Sequence, residues 1–164
     1  MALKGDRYAG VTDVSFFMND ASASKGGIAC ISTAGSGVAL DQSKALVTYK
    51  ALASGNIPVG LLLNDMVNID QTRQHINFHK NEVQKGGKVT LLTQGWVVTS
   101  NVTGTPTAGQ AAYLGATGTV TASQSATGGN AANPPVGRFL STKDEDGYVK
   151  LQVNLPMVPG DSGV

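Results

Sequence analysis

Residues 85–114, KGGKVTLLTQGWVVTSNVTGTPTAGQAAYL, decide the fold. Val89 and Leu91, with Thr90 and Leu92 on the other parity, make one β-prone run. Gln94-Gly95 reads as a tight turn, and Trp96, Val97, Val98 and Thr99 resume a second run. Residues 103–109 set Gly104, Pro106 and Gly109 among threonines, a composition that cannot carry a helix, and hand over to a strand at 110–114. The segment is a β-meander in which nothing marks a catalytic residue.

The same grammar extends outward. On the C-terminal side, residues 118–121 and 136–140 read as strands around a low-complexity loop at 122–133. Asp144-Glu145-Asp146-Gly147 then makes a hairpin turn into a closing strand at 148–155, with Val149, Leu151 and Val153 on one face. On the N-terminal side, residues 13–18, 27–32, 38–40 and 61–63 read as strands. Val67, Ile69, Ile76 and Phe78 favour a period of two between 66 and 83. Residues 41–53 fit helix or strand equally, because β-branched Val47 and Thr48 and aromatic Tyr49 interrupt an otherwise helix-compatible run.

At 164 residues the chain is long enough to bury a core as one domain. The reading is all-β with little helix: a compact barrel-like, tulip-like or sandwich domain over residues 13–155. It is preceded by an arm at 1–12, conspicuous for Lys4, Arg7 and Tyr8, and followed by an extended tail at 156–164 that opens on Pro156 and Met157. A faint repeat supports two similar β modules. GGIACISTAGSGVAL followed by IPVGLLLND can be laid over GQAAYLGATGTVTA followed by PPVGRFLSTKD, so that Gly27, Gly37 and Gly60 match Gly109, Gly118 and Gly137.

Charged residues make up 14% of the chain, against about 25% in ordinary soluble domains. A surface so poor in charge either carries uncharged hydroxyls and amides or is partly covered in an assembly, and the net charge of +1 argues against a nucleic-acid partner. The single cysteine, Cys30, lies in an apolar, strand-like setting and reads as a buried small hydrophobe. No stretch has the run of about 18 apolar residues that crosses a membrane, and the start lacks a secretion signal, so folding in a cytoplasm is expected.

Motifs for chemistry are weak. His75 and His79 share a face at zinc-ligand spacing, but no third ligand follows, and a solvated strand face is preferred. Asp144 to Gly147 opens like a calcium loop without its distal glutamate. Gly160-Asp161-Ser162-Gly163 echoes a serine-protease nucleophile, yet it sits in a Pro-Gly tail with no base placed around it. Lys85-Gly86-Gly87-Lys88 lacks the first glycine of a phosphate loop and reads as a turn. Trp96, Tyr113 and Tyr148 could stack on sugars or bases, but with aromatics only 5% of the chain they are expected in the core. No catalytic residue, metal or cofactor is expected.

The order of a Gly-rich strand, PVG, GGKV, QGWVVT, TAGQAAYL, TGTVT, PPVGRFL and DGYVKLQV resembles the small decoration, or cement, proteins of tailed-bacteriophage heads over residues 13–155. The resemblance implies a β-barrel or tulip-like domain with no catalytic residues. It implies attachment to the outside of the capsid, usually as a homotrimer, where the protein clamps neighbouring major capsid subunits of the virion. The chain would fold in the bacterial host cytoplasm, with arm and tail ordering on docking. Lys4, Arg7, Tyr8, Pro156 and Met157 are then the expected capsid or subunit contacts, and removing residues 1–12 should leave a fold that no longer binds the shell. Two other classes compete: a carbohydrate-binding module of a phage tail, fibre or host surface, and a small hydrolase built around His75 or His79.

Overall fold

The computed structural model describes residues 2–32, 46–49, 56–67, 82–124 and 132–155. These residues are nearly all β, as the sequence leads one to expect. The strands are β1 (Leu3–Asp13), β2 (Phe17–Met18), β3 (Ile28–Ile31), β4 (Leu46–Thr48), β5 (Pro58–Leu62), β6 (Asp65–Met66), β7 (Glu82–Val83), β8 (Leu91–Thr99), β9 (Val102–Thr103), β10 (Ala111–Leu114), β11 (Val120–Thr121), β12 (Pro135–Phe139) and β13 (Val149–Asn154). Apart from the small β6–β7 pair they form one 11-stranded sheet, in the order β2-β4-β3-β5-β8-β13-β12-β10-β11-β9, with β1 also on β8. The ambiguous 41–53 segment contributes the strand β4.

The hub is β8, which runs straight through the expected Gln94-Gly95 turn. Leu91 and Leu92 pair with Leu62 and Leu61 of β5, Gln94 to Thr99 pair with β13, and β1 lies antiparallel along the strand with its register broken near Gly10. Gly95 has φ +154°, and a Cβ there would stand 2.0 Å from the Tyr8 carbonyl oxygen. The glycine that looked like a turn residue is what lets β1 close on β8. It also re-aims the strand. Leu92 and Val97 enter the same core although their odd spacing would send them to opposite faces of a regular strand.

The first strand therefore begins earlier than the sequence suggests. Residues 1–12, read as an arm, lie mostly within β1 and are already paired to β8. Leu3 is buried, and the buried Thr99 hydroxyl lies 2.9 Å from the Ala2 carbonyl and 3.0 Å from that of Gly26 while accepting the Asn101 N–H. The pairing hid from the sequence because β1 is exposed at both parities from Gly5 to Thr12 and so shows no apolar alternation. Residues 156–164 lie outside the described residues.

The repeat is real at the level of pairing and is one residue out of step on its first strand. Ile28, Ala29 and Cys30 face Leu61, Gly60 and Pro58. Ala111, Ala112 and Tyr113 face Arg138, Gly137 and Pro135, with the register break at the same step. Cys30 then pairs Thr48 as Tyr113 pairs Thr121, and β2 joins β4 in parallel as β9 joins β11. Gly26 (φ +98°), not Gly27, corresponds to Gly109 (φ +88°).

The two four-strand blocks turn opposite faces inward. Ile28 and Leu61 enter the larger core, whereas their counterparts Ala111 and Arg138 are exposed. Ala29 and Leu62 enter a smaller core with Met18, Met66, Val89 and Leu91, whereas their counterparts Ala112 and Phe139 enter the larger one. The first block is thus buried on both faces and the second on one. Cys30 is fully buried, as expected of a small hydrophobe.

Candidate docking face

The uncovered side of the second block is the candidate site. Alternation in VKLQVN sends Val149, Leu151 and Val153 into the core and leaves Lys150 and Gln152 outside. Directly opposed residues of an antiparallel sheet share a face, so four registers define one row across five strands: Tyr8, Trp96, Gln152, Arg138 and Ala111. Tyr8 is 60% exposed, Trp96 is half-buried, and the other three are exposed.

Contacts between strands tie the face together. The Lys150 Nζ sits 3.8 Å from the centre of the Trp96 ring, on the neighbouring strand. An ammonium over an indole face gains about 0.5–1 kcal/mol at an exposed site, and its stem covers the ring. At the start of β13, Lys4 reaches across from β1, with its Nζ 4.2 Å from the Tyr148 ring centre and 3.2 Å from Asp144 Oδ2. The Tyr148 N–H donates to Asp144 Oδ1 at 2.6 Å, and the Gly147 N–H donates to the Asp144 carbonyl at 3.0 Å. The expected Asp-Gly turn is thus the link between β12 and β13. The Tyr148 N–H, followed by Lys4, holds the Asp144 carboxyl below its ordinary range.

Of the residues singled out in the sequence, the structure brings Tyr8 into the row. Arg7 faces Val97 one step along β1, and Lys4 ties the start of β1 to the β12–β13 turn. Pro156 and Met157 lie outside the described residues. Trp96, Tyr113 and Tyr148 are not core residues; each is half-buried. Their rarity pointed inward, but the strand parity that puts Val97 and Val149 inside puts Trp96 and Tyr148 outside. Sequence reasoning missed Gln152, Arg138 and Lys150, although the β13 alternation already pointed Lys150 and Gln152 outward.

Beside the row, Tyr8, Gly10, Val11, Gln94, Trp96 and Asn154 border an open depression, and a second lies among Val11, Val14, Thr93 and Leu155. Neither is lined by histidine, cysteine or glutamate. Among the described residues no three His, Cys, Asp or Glu side chains gather as metal ligands. His75, His79 and the 160–163 motif lie outside the described residues. Residues 85–88 form a turn, with Gly86 at φ +83° and the Gly87 N–H donating to the Gln84 carbonyl at 2.9 Å. No helix in the described residues is long and apolar enough to cross a membrane.

A face of this kind can bind by area, stacking and hydrogen bonding. The family model for phage cement, described as structural cement protein (E217 gp24/Pam3 gp6), matches residues 5–154. No curated protein matches the chain.

Proposed function

This chain belongs to the phage structural cement proteins, and from that we propose that it binds the outer surface of a phage head and clamps neighbouring major capsid subunits, acting as a homotrimer and without catalysis. The observation that supports this most is the span of the match, which runs from Gly5, two residues into β1, to the end of β13 and so takes in every strand of the open row. Rigid β structure suits the task, because a clamp that holds two subunits must not yield between its own contacts. Three linked copies engaging one lattice gain avidity, so modest single contacts sum to lasting attachment.

The test is to add the purified chain to heads assembled without it. Threefold protrusions seen by electron microscopy, and genome release at a higher temperature than from bare heads, are the expected results. Failure to sediment with the heads overturns the reading. The carbohydrate-binding alternative draws on the exposed Tyr8 ring, but Lys150 covers one face of Trp96 beside it. Glycan-array binding by the isolated chain would favour that alternative.

A further inference from the structure

Resting on the head-binding reading, we infer that the Tyr8–Trp96–Gln152–Arg138 row is the surface that meets the shell, and that its partner there is a patch of shell protein rich in carboxylates. The comparison of the two blocks shows why this face has no partner among the described residues. Leu61 and Ile28, which correspond to Arg138 and Ala111, are covered by the second block inside the larger core. On the matching face of the second block Ala111 and Arg138 stand in their places, and the sheet continues that face through Gln152 and Lys150 of β13, Trp96 of β8 and Tyr8 of β1. Aromatics and arginine are the residues that interface cores favour, and they dominate binding energy when a partner excludes water around them.

Charge decides what kind of partner fits. Arg138 and Lys150 stand on this face, and the row itself contains no carboxylate, the nearest on β1 being the exposed Asp6, two residues before Tyr8. The ion pairs among the described residues join Lys4 to Asp144 and Lys25 to Asp65, so neither Arg138 nor Lys150 is neutralised in one. The Trp96 ring holds Lys150 in place, so little side-chain freedom is lost when an acidic group approaches. A second copy presenting the same face would set Arg138 and Lys150 against their like, which disfavours a two-fold contact here. On the head-binding reading the complementary acids belong to the shell protein.

The experiment compares the chain with two double variants of equal charge change, Arg138→Glu with Lys150→Glu on the row and Lys85→Glu with Lys88→Glu on the 85–88 turn, in sedimentation with undecorated heads at low and high salt. The row variant is expected to bind about 100-fold more weakly, with a flattened salt dependence, and the turn variant within about 3-fold of the original. Melting curves check that both fold, and Arg138→Gln, which disturbs no buried atom, should still cost about 10-fold. If the original chain binds heads and the row variants bind equally well, the face is wrong while the head-binding reading stands. If the row variants change the oligomeric state in solution, the face belongs to a second copy and the inference is overturned. If the original chain ignores the heads, the head-binding reading fails and the face falls with it.

Discussion

The block β2-β4-β3-β5 and the block β9-β11-β10-β12 share strand order, direction and register, yet the side that is core in one is surface in the other. Backbone hydrogen bonds fix which residues stand opposite each other and are indifferent to which face water reaches. Burial is decided by the side chains on each parity and by what lies across from them. Two nearly identical pairing diagrams can therefore differ in which faces are covered, both in the first block and one in the second. The junction between them is Gly95, where β8 changes the face it gives to the larger core.

The strongest way to break the comparison is at its paired glycines. A Cβ on Gly137, at φ +159°, would lie 1.9 Å from the Gln152 carbonyl oxygen, whereas one on Gly60 would meet the Leu91 Cβ at 2.7 Å. Gly137→Ala should cost about 4 kcal/mol in denaturant unfolding, because the partner carbonyl must move far, and Gly60→Ala about 2–3 kcal/mol, because the overlap with the backbone-fixed Leu91 Cβ is smaller. Equal costs would mean that the registers do not correspond.

A somewhat smaller contrast tests the inverted faces. Leu92 and Gln152 occupy matching places beside Leu61 and Arg138, one fully buried and one exposed. Leu92→Ala should cost about 3 kcal/mol through cavity formation, and Gln152→Ala less than about 0.5 kcal/mol. Next comes the bond that holds β1 and the Gly26 turn to the end of β8. Thr99→Val removes the hydroxyl that serves the Gly26 carbonyl and the Asn101 N–H, while the Ala2 carbonyl keeps the Ser100 N–H at 2.8 Å, and should cost about 1–3 kcal/mol, with faster amide exchange at Asn101 and in β1.

The smallest effect is electrostatic. Because the Tyr148 N–H and Lys4 lower the Asp144 carboxyl, its contribution is present above the ordinary carboxylate range and is lost as pH falls through the lowered value. The stability difference between the chain and its Asp144→Asn variant should shrink on acidification. A carboxyl titration followed by NMR should move upward, toward the ordinary range, in Lys4→Gln.

Much of the sheet was legible in the sequence. Alternation located β13 because one face of that strand is buried and the other wet, and the PVG stretches located β5 and β12 because proline sits at the first position of each strand. β1 was not legible, since a strand exposed on both parities carries no period. The Gly10 and Gly95 approach acquires meaning only when the two strands are laid side by side. The candidate face was half legible: Tyr8 stood out in the chain, but Trp96 was assigned inward on its rarity. The row itself depends on four registers between strands far apart in sequence.

The two blocks, with the first presenting its Leu61 side to the Phe139 side of the second, form a stack with direction. At one end the Leu62 side is closed by the chain's own Met18, Met66 and Val89, and at the other no described residue covers the Arg138 side. On the docking proposed above, a body of that kind has one adhesive side. Laid on a lattice it would turn that side down and show its neighbours a capped back, so that coating ends after a single layer.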